Sequence, residues 1–292
     1  FSVAIGGIPS MVNEFSAGPF METHYHSQFD SDEFYDEAVY RFHHELYGLL
    51  LLELDAQAVV PLNFAEVFEE AAKSLDVIYC QKAGARVTAL LELLEKAQEL
   101  SDEIYDRIWD VNEARLAGEA VELDRVREAE KKLLSVFKME QDRFVRLNWA
   151  DEVLFPEEAA QNNLYYIRKA VRSLKRKNLE TALEALYEID NNAYAFQFSR
   201  SVYEHFTDYV FHQEPDRLQW GAGRIVHHEN LYDLVEGLLE KYHRGEMEVR
   251  EEILRLEAVE KRQQAYLKED VDYMIKSTEK MLLILQEAKE LL

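Results

Sequence analysis

The segment Thr23-His24-Tyr25-His26-Ser27-Gln28-Phe29-Asp30 holds the side chains of this sequence that are best suited to chemistry. His24 and His26 are two residues apart, so in an extended segment both point to the same side. A neutral imidazole nitrogen is a common zinc ligand, and a loop before an acidic helix start can present one. An ordinary hydrogen-bonded surface loop is the alternative. A complete zinc site needs three or four ligands, and no second cluster has diagnostic spacing.

The other histidine pairs lack the spacing of a metal-binding motif. His44-Glu45 opens like the HExxH motif of zinc proteases, but Gly48 stands where that motif requires its second histidine. His227 and His228 follow a glycine-containing turn and precede a predicted helix. A role in helix entry is the preferred interpretation of this pair, and a place in the wall of a cleft is the alternative.

Composition excludes several classes of partner. The chain has 57 acidic and 33 basic residues, a formal net charge of −24, which argues against nucleic acid and against anionic membrane surfaces. The single cysteine, Cys80, rules out an internal disulfide framework. No apolar run of about 18 residues is present, so we expect no membrane span. Both a cytoplasmic and a secreted location are compatible with this composition.

The N-terminal region is predicted to contain strand and helix. Phe1–Gly6 has the pattern of a short buried strand, and Met11–Phe15 of a second. Because a lone buried strand needs neighbours, we expect the rest of its sheet, and the start of the natural protein, to lie upstream. Ser31 or Asp32 is predicted to cap a helix that extends to Asp55. The tract Val59–Phe64, which contains a proline, is predicted to be a domain boundary.

Beyond that boundary the sequence predicts a bundle of amphipathic helices. Apolar residues recur at spacings of three and four, and Gly118 and Gly245 are candidate interruptions. The predicted helices are Phe64–Tyr79, Ala83–Leu116, Glu122–Asn148, Asn162–Lys175, Leu179–Glu188, Asn191–Tyr209, Asn230–Arg244 and Met247–Leu292.

Four short segments together resemble successive landmarks of the M28-type zinc exopeptidases. They are Gly7-Ile8-Pro9-Ser10, Tyr25-His26-Ser27-Gln28-Phe29-Asp30, Phe34-Tyr35-Asp36 and Val60-Pro61-Leu62-Asn63-Phe64. The branch most similar is that of glutamate carboxypeptidase II and the transferrin receptor. In that branch the last strands of an α/β zinc-peptidase domain lead into a helical dimerisation domain.

The resemblance implies both a domain organisation and a fold class. Residues 1–63 would be the C-terminal remnant of the α/β peptidase domain. Residues 64–292 would be a helical, dimerisation-like domain, so that the chain is mostly α. The long helices would pair with a second copy, which predicts a homodimer.

The resemblance also assigns roles to two residues of the His-Tyr-His segment. His26 matches the last zinc ligand of the family, and Tyr25 matches the tyrosine that helps stabilise the tetrahedral intermediate. The other ligands of the two zinc ions, the bridging aspartate and the general-base glutamate lie upstream in such enzymes. The resemblance therefore implies a co-catalytic two-zinc enzyme acting on peptide substrates. It also implies that this chain is inactive without the upstream part of the same protein.

A loop of the helical domain reaches the substrate in this family, and Gln219–Arg224 is the candidate for that loop, although its residues differ from the lysine and tyrosine that the family has there. Trp220, Gly221 and Arg224 are the candidate substrate-binding residues, with Arg224 placed to bind a substrate carboxylate. Pairing of Arg224 with one of the many acidic residues is the alternative. The run Met11–Phe15 lacks the arginines that acidic-dipeptide-cleaving members carry there, so aminopeptidase and carboxypeptidase specificities both stay open.

Two further hypotheses stand beside the peptidase. A receptor-like relative would keep the fold and the dimerisation domain without the chemistry. A helical scaffold protein unrelated to peptidases would treat residues 1–30 as an irregular arm and depend on no metal. Retention of both Tyr25 and His26 favours the enzyme.

Overall fold

The computed structural model describes residues 2–10, 20–214 and 223–292, and this part of the chain is mostly helical. The prediction of a mostly α fold is therefore confirmed. The α-helices, in chain order, are α1 (Ser2–Ile5), α2 (Phe20–Thr23), α3 (Glu37–Ala56), α4 (Ala65–Lys73), α5 (Val77–Ala83), α6 (Val87–Leu116), α7 (Leu123–Arg143), α8 (Glu158–Lys175), α9 (Leu179–Tyr187), α10 (Tyr194–Gln197), α11 (Arg200–Phe211), α12 (Tyr232–Arg244) and α13 (Arg250–Leu291). A 3-10 turn at Asp32–Phe34 precedes α3.

One short antiparallel hairpin is the only sheet in the described residues. Strands β1 (Arg146–Leu147) and β2 (Val153–Leu154) pair with Arg146 opposite Leu154. Asn148 closes the hairpin, because its side-chain oxygen accepts hydrogen bonds from the backbone N–H groups of Ala150 and Glu152 at 3.0 and 2.9 Å. Such local side-chain bonds replace the ladder bonds that a tight turn gives up.

The predicted strand at Phe1–Gly6 is wrong, since Ser2–Ile5 forms helix α1. The backbone N–H of Gly7 donates to the carbonyl of Ala4 at 2.8 Å, and Gly7 has a φ of 89°. A short apolar run fits a strand or one helical turn equally well, and no described strand lies in this region to pair with it. The strand predicted at Met11–Phe15 lies outside the described residues.

The predicted start of the first long helix is also wrong. Asp36, and neither Ser31 nor Asp32, caps α3, because its carboxylate accepts from the N–H groups of Ala38 and Val39 at 2.8 and 3.2 Å. Several Ser and Asp residues stand close together here, and their residue types alone do not tell which one is the cap.

Two predicted helices are each broken into two shorter helices. Within Phe64–Tyr79, α4 ends before Ser74, and the side chain of Asp76 accepts from the N–H of Tyr79 at 2.9 Å to begin α5. Within Asn191–Tyr209, extended backbone at Phe198 and Ser199 separates α10 from α11. The apolar pattern continues across both breaks, which is why periodicity did not show them.

The two glycine interruptions are confirmed. Gly245 is the left-handed C-cap of α12 with a φ of 68°, and Gly118 follows α6 with a φ of 76°. Both angles lie in the region that a residue without a Cβ adopts most readily.

The chain divides into two compact units. The first comprises Phe1–Asn63, Ser101–Lys138 and Ile284–Leu292, and the second comprises Phe64–Leu100 and Met139–Leu283. The first break thus falls between residues 63 and 64, within the predicted boundary tract, but the first unit also takes in parts of α6, α7 and α13. The predicted organisation into residues 1–63 and 64–292 stays a prediction.

In the first unit, a buried amide holds the segment that follows α3. The side-chain oxygen of Asn112 accepts from the N–H groups of Ala58 and Val59 at 2.8 and 3.0 Å, and its nitrogen donates to the Val59 carbonyl at 3.0 Å. Helix α3 itself contributes no buried residue.

The second unit has a continuous apolar core built from one face of each of α8, α9, α12 and the first part of α13. Fully buried examples are Ile167, Leu186, Val235 and Leu256. Among the helices of the described residues, none combines the length and the apolar character that crossing a bilayer requires, in agreement with the absence of a predicted membrane span.

Candidate functional site

The Tyr25–His26 turn, formed by residues 24–27, displays the two residues predicted to do chemistry. It follows α2, and the carbonyl of His24 accepts hydrogen bonds from the backbone N–H and the hydroxyl of Ser27 at 3.0 and 2.6 Å. The third residue of the turn, His26, has a φ of 55°. A left-handed conformation is uncommon for a residue with a side chain, although histidine adopts it more often than most.

Both functional groups of the turn face outward. Tyr25 and His26 are exposed, and their rings stack with centroids 3.9 Å apart. Among the described residues, neither the Tyr25 hydroxyl nor an imidazole nitrogen of His26 has a hydrogen-bond partner. His24 differs, because its Nδ1 lies 2.5 Å from the hydroxyl of Thr23. The two histidines of the turn therefore differ in their partners, since the ring nitrogens of His26 have no hydrogen-bond partner among the described residues.

A full metal site is not formed by the part of the chain that the structure describes. Within it, no group of three or more His, Cys, Asp and Glu side chains is arranged to hold a metal ion. The described residues thus do not form a zinc site by themselves, and the role of His26 as a zinc ligand stays a prediction.

The predicted substrate loop is described only at its end. Trp220 and Gly221 lie outside the described residues. Arg224 is largely buried, and its guanidinium donates to the backbone carbonyls of Gln141 and of Val145, the latter at 3.1 Å. Burial lowers the pKa of Arg224 from its usual value. In this arrangement Arg224 satisfies carbonyls at the C-terminal end of α7, and its role in substrate binding stays a prediction.

The two histidines before α12 are held inside the second unit. His227 Nε2 lies 2.9 Å from Asp270 Oδ1, and its ring stacks on Tyr266 with centroids 4.1 Å apart. His228 Nε2 lies 2.8 Å from Asn191 Oδ1, and burial lowers the pKa of His228 to about 4. His228 is therefore neutral at pH 7. These bonds connect the segment before α12 to α13 and to the segment after α9, and neither histidine caps α12, whose N-cap is Leu231.

A fully buried carboxyl group lies in the same unit. Glu157 accepts a 2.6 Å hydrogen bond from the hydroxyl of Ser74, and its other oxygen is buried without a partner in the described residues. Burial raises the pKa of Glu157 to about 8, and the nearby charge of Asp270 acts in the same direction. Near pH 7 this group is mostly the neutral acid, because the charged form would be poorly solvated.

A polar cavity of about 390 Å³ opens between the hairpin, α8 and the end of α9. The acidic and tyrosine residues of its wall are Glu152, Glu188, Asp190, Tyr166, Tyr187 and Tyr194. We refer to it as the acidic cavity. Asp190 has a φ of 48° and accepts a 2.8 Å bond from the N–H of Glu229, and burial raises its pKa to about 7.

Sequence reasoning missed the acidic cavity. Its acids come from three places, namely the hairpin, the C-terminal end of α9 and the segment that follows it, and none of these carries a motif. One signal was present: Asp190-Asn191-Asn192 has the composition of a turn, which argues against a helix starting at Asn191.

No protein-family model, curated protein or solved structure matches this chain.

Proposed function

We propose that this chain is the C-terminal part of a co-catalytic two-zinc exopeptidase of the M28 type. In this proposal His26 supplies one zinc ligand, and the remaining ligands come from an upstream part of the same protein. The observation that carries the proposal is the geometry of the Tyr25–His26 turn, in which a left-handed His26 presents ring nitrogens that no described residue engages. Unusual backbone conformations of this kind cluster at functional sites.

The order of motifs supports the same proposal. The turn residues Gly7-Ile8-Pro9-Ser10 precede the Tyr-His pair, and Val60–Phe64 follows α3, as in the family that the sequence resembles. When bound, a zinc pair would polarise the scissile carbonyl and activate a water molecule. This chain would supply one zinc ligand, His26, and would donate a hydrogen bond from the Tyr25 hydroxyl to the developing oxyanion.

The uncovered surface of α3 is a third line of support. Large apolar side chains along this helix are exposed, among them Leu49, Leu51 and Leu52, each at least 66% exposed. A surface of this kind on a soluble protein usually marks a contact with another domain or chain. In the proposal, the upstream peptidase domain covers it.

An activity assay with matched variants tests the proposal. The natural polypeptide that contains this sequence would be purified and assayed on aminoacyl and carboxy-terminal model peptides, with and without a zinc chelator. We expect His26→Ala to reduce kcat/KM at least ~100-fold and Tyr25→Phe to reduce kcat by about 10²-fold, while His24→Ala stays near the unsubstituted protein.

Two outcomes would contradict the proposal. A folded protein with no peptidase activity, chelated or not, would indicate the receptor-like relative. Activity that is lost equally in His24→Ala and His26→Ala would contradict the specific role of His26.

A further inference from the structure

The charge that the acidic cavity can carry is of one sign, and Asp190, with a pKa of about 7, contributes to it in part of the molecules near pH 7. Three carboxyl groups, those of Glu152, Glu188 and Asp190, line it, and no Lys, Arg or His is found among the described residues of its wall. A concave site with low-dielectric walls and a single sign of charge concentrates ligands of the opposite sign. This arrangement selects for a cation.

A buried amide adds an unused hydrogen-bond acceptor to the cavity. Asn163 lines the cavity and is only 6% exposed. Its side-chain nitrogen donates to Gln263 Oε1 at 3.3 Å, whereas its side-chain oxygen has no partner among the described residues. Asn163 Oδ1 is thus an acceptor at the cavity wall that no described donor occupies, and a ligand that brings an N–H group can bond to it.

The tyrosines make the cavity suitable for an organic cation rather than a bare ion. Burial raises the pKa of the Tyr166 phenol, and the charges of Glu188 and Glu152 raise it further. Tyr166, Glu188 and Glu152 all line the cavity. Aromatic faces next to carboxylates attract ammonium groups and cover their aliphatic parts.

We propose that the acidic cavity binds a small organic cation with a protonated primary amine on an aliphatic body. A volume of about 390 Å³ lies within the roughly 300–1,000 Å³ of typical small-ligand sites. Two sources share this chemistry, a free diamine and the lysine side chain of a peptide. The proposal is independent of the peptidase function, because the cavity lies wholly within the second unit and involves no zinc.

Titration calorimetry on the 292-residue chain tests the proposed binding of an organic cation with three probes. They are 1,5-diaminopentane for the free diamine, Nα-acetyl-lysine amide for the peptide side chain, and 1,5-pentanediol as the uncharged analogue. We expect saturable binding of at least one amine and none of the diol. Tighter binding of the diamine assigns the free amine as the source, and tighter binding of the lysine derivative assigns a peptide.

Two cavity variants and one control locate the site. Asp190→Asn keeps an oxygen acceptor for the N–H of Glu229, and asparagine tolerates a positive φ, so this variant is expected to fold. Glu188→Gln changes an exposed residue at the end of α9. Each is expected to weaken amine binding ~10-fold or more. Glu184→Gln removes the same charge one turn earlier on α9, outside the cavity wall, and should leave binding unchanged.

The proposal is overturned if neither amine binds. It is equally overturned if the diol binds as tightly as the diamine, or if Glu184→Gln weakens binding as much as Glu188→Gln does. The last result would show that only the overall negative charge attracts the amines.

Discussion

The left-handed conformation of His26 makes this residue unlike His24, its neighbour two positions earlier. His24 has a hydroxyl partner 2.5 Å away, whereas His26 stacks only on the ring of Tyr25. A residue with a side chain in this backbone region costs on the order of 1 kcal/mol, which the two bonds from Ser27 to the His24 carbonyl offset. The turn therefore holds an imidazole in an exposed position, and the bonds from Ser27 stabilise the backbone conformation that this requires.

Glu157 gives a prediction at the scale of one residue. Its folded-state pKa, about 8, is above the value of about 4.3 for an unfolded glutamate, so the folded chain binds an extra proton between these values. The stability that this bound proton contributes is fully present below the unfolded-state pKa, and it is lost as the pH rises through the folded-state pKa of about 8. The free energy of unfolding should fall by up to about 1.4 kcal/mol per pH unit in that window through this group alone.

Denaturant unfolding at several pH values measures this effect. Glutamine resembles the neutral acid, so Glu157→Gln should flatten the fall in stability between pH 5 and 8. The exposed residue Glu236 provides the control substitution Glu236→Gln, which should keep the slope of the unsubstituted chain. Equal slopes for all three proteins would show that Glu157 does not hold its proton in the folded state.

At the scale of elements, α3 is a helix that the described structure does not bury. Its N-terminus is capped by Asp36, and its length suits an independent helix, yet none of its residues is buried. Long apolar residues in such a helix contribute little to folding, because a contribution requires their removal from water. The apolar surface of α3 is thus available to a partner.

Substitution of Leu51 and Leu52 by glutamine tests this view of α3. We expect a change in the free energy of unfolding within ~0.5 kcal/mol per site and weaker binding of a hydrophobic dye. Leu90→Gln, at a fully buried position of α6, is the contrasting variant and should cost several kcal/mol. A loss of more than ~2 kcal/mol on substituting Leu51 and Leu52 together would mean that α3 is packed in solution.

The helices beyond residue 64 were the most predictable elements. Their apolar spacing located α6, α8, α9, α12 and α13, and Gly118 and Gly245 marked two interruptions. The breaks at Ser74 and Ser199 were missed, since each depends on a local cap or an extended residue that leaves the apolar pattern intact. The strand predicted at Phe1–Gly6 failed because pairing, and not composition, decides whether a short apolar run becomes a strand.

At the scale of the whole molecule, the two candidate sites differ in how well the sequence alone predicts them. The residues of the Tyr25–His26 turn are contiguous in the sequence, so a sequence motif can identify them. The acidic cavity joins Glu152 with Glu188 and Asp190. Glu152 lies nearly 40 residues before the other two in the sequence, and the three residues meet through the packing of the second unit. No spacing rule predicts that meeting.

The strong negative charge bears on both sites. With a net charge of −24, the chain attracts cations generally, and nonspecific attraction weakens as salt screens it. Pairs of variants with the same change in charge are therefore the controls that distinguish binding at one site from attraction by the net charge. These pairs are Glu184→Gln with Glu188→Gln, and His24→Ala with His26→Ala.

Zinc content of the natural polypeptide is the most direct test of the central claim that His26 is a zinc ligand. The measurement is elemental analysis of purified protein together with its intact mass, for the unsubstituted form, His24→Ala and His26→Ala. We predict about two zinc ions per polypeptide in the first two proteins and at least one fewer in His26→Ala. Equal zinc content in all three, or a folded polypeptide without zinc after purification in zinc-containing buffer, would contradict the claim.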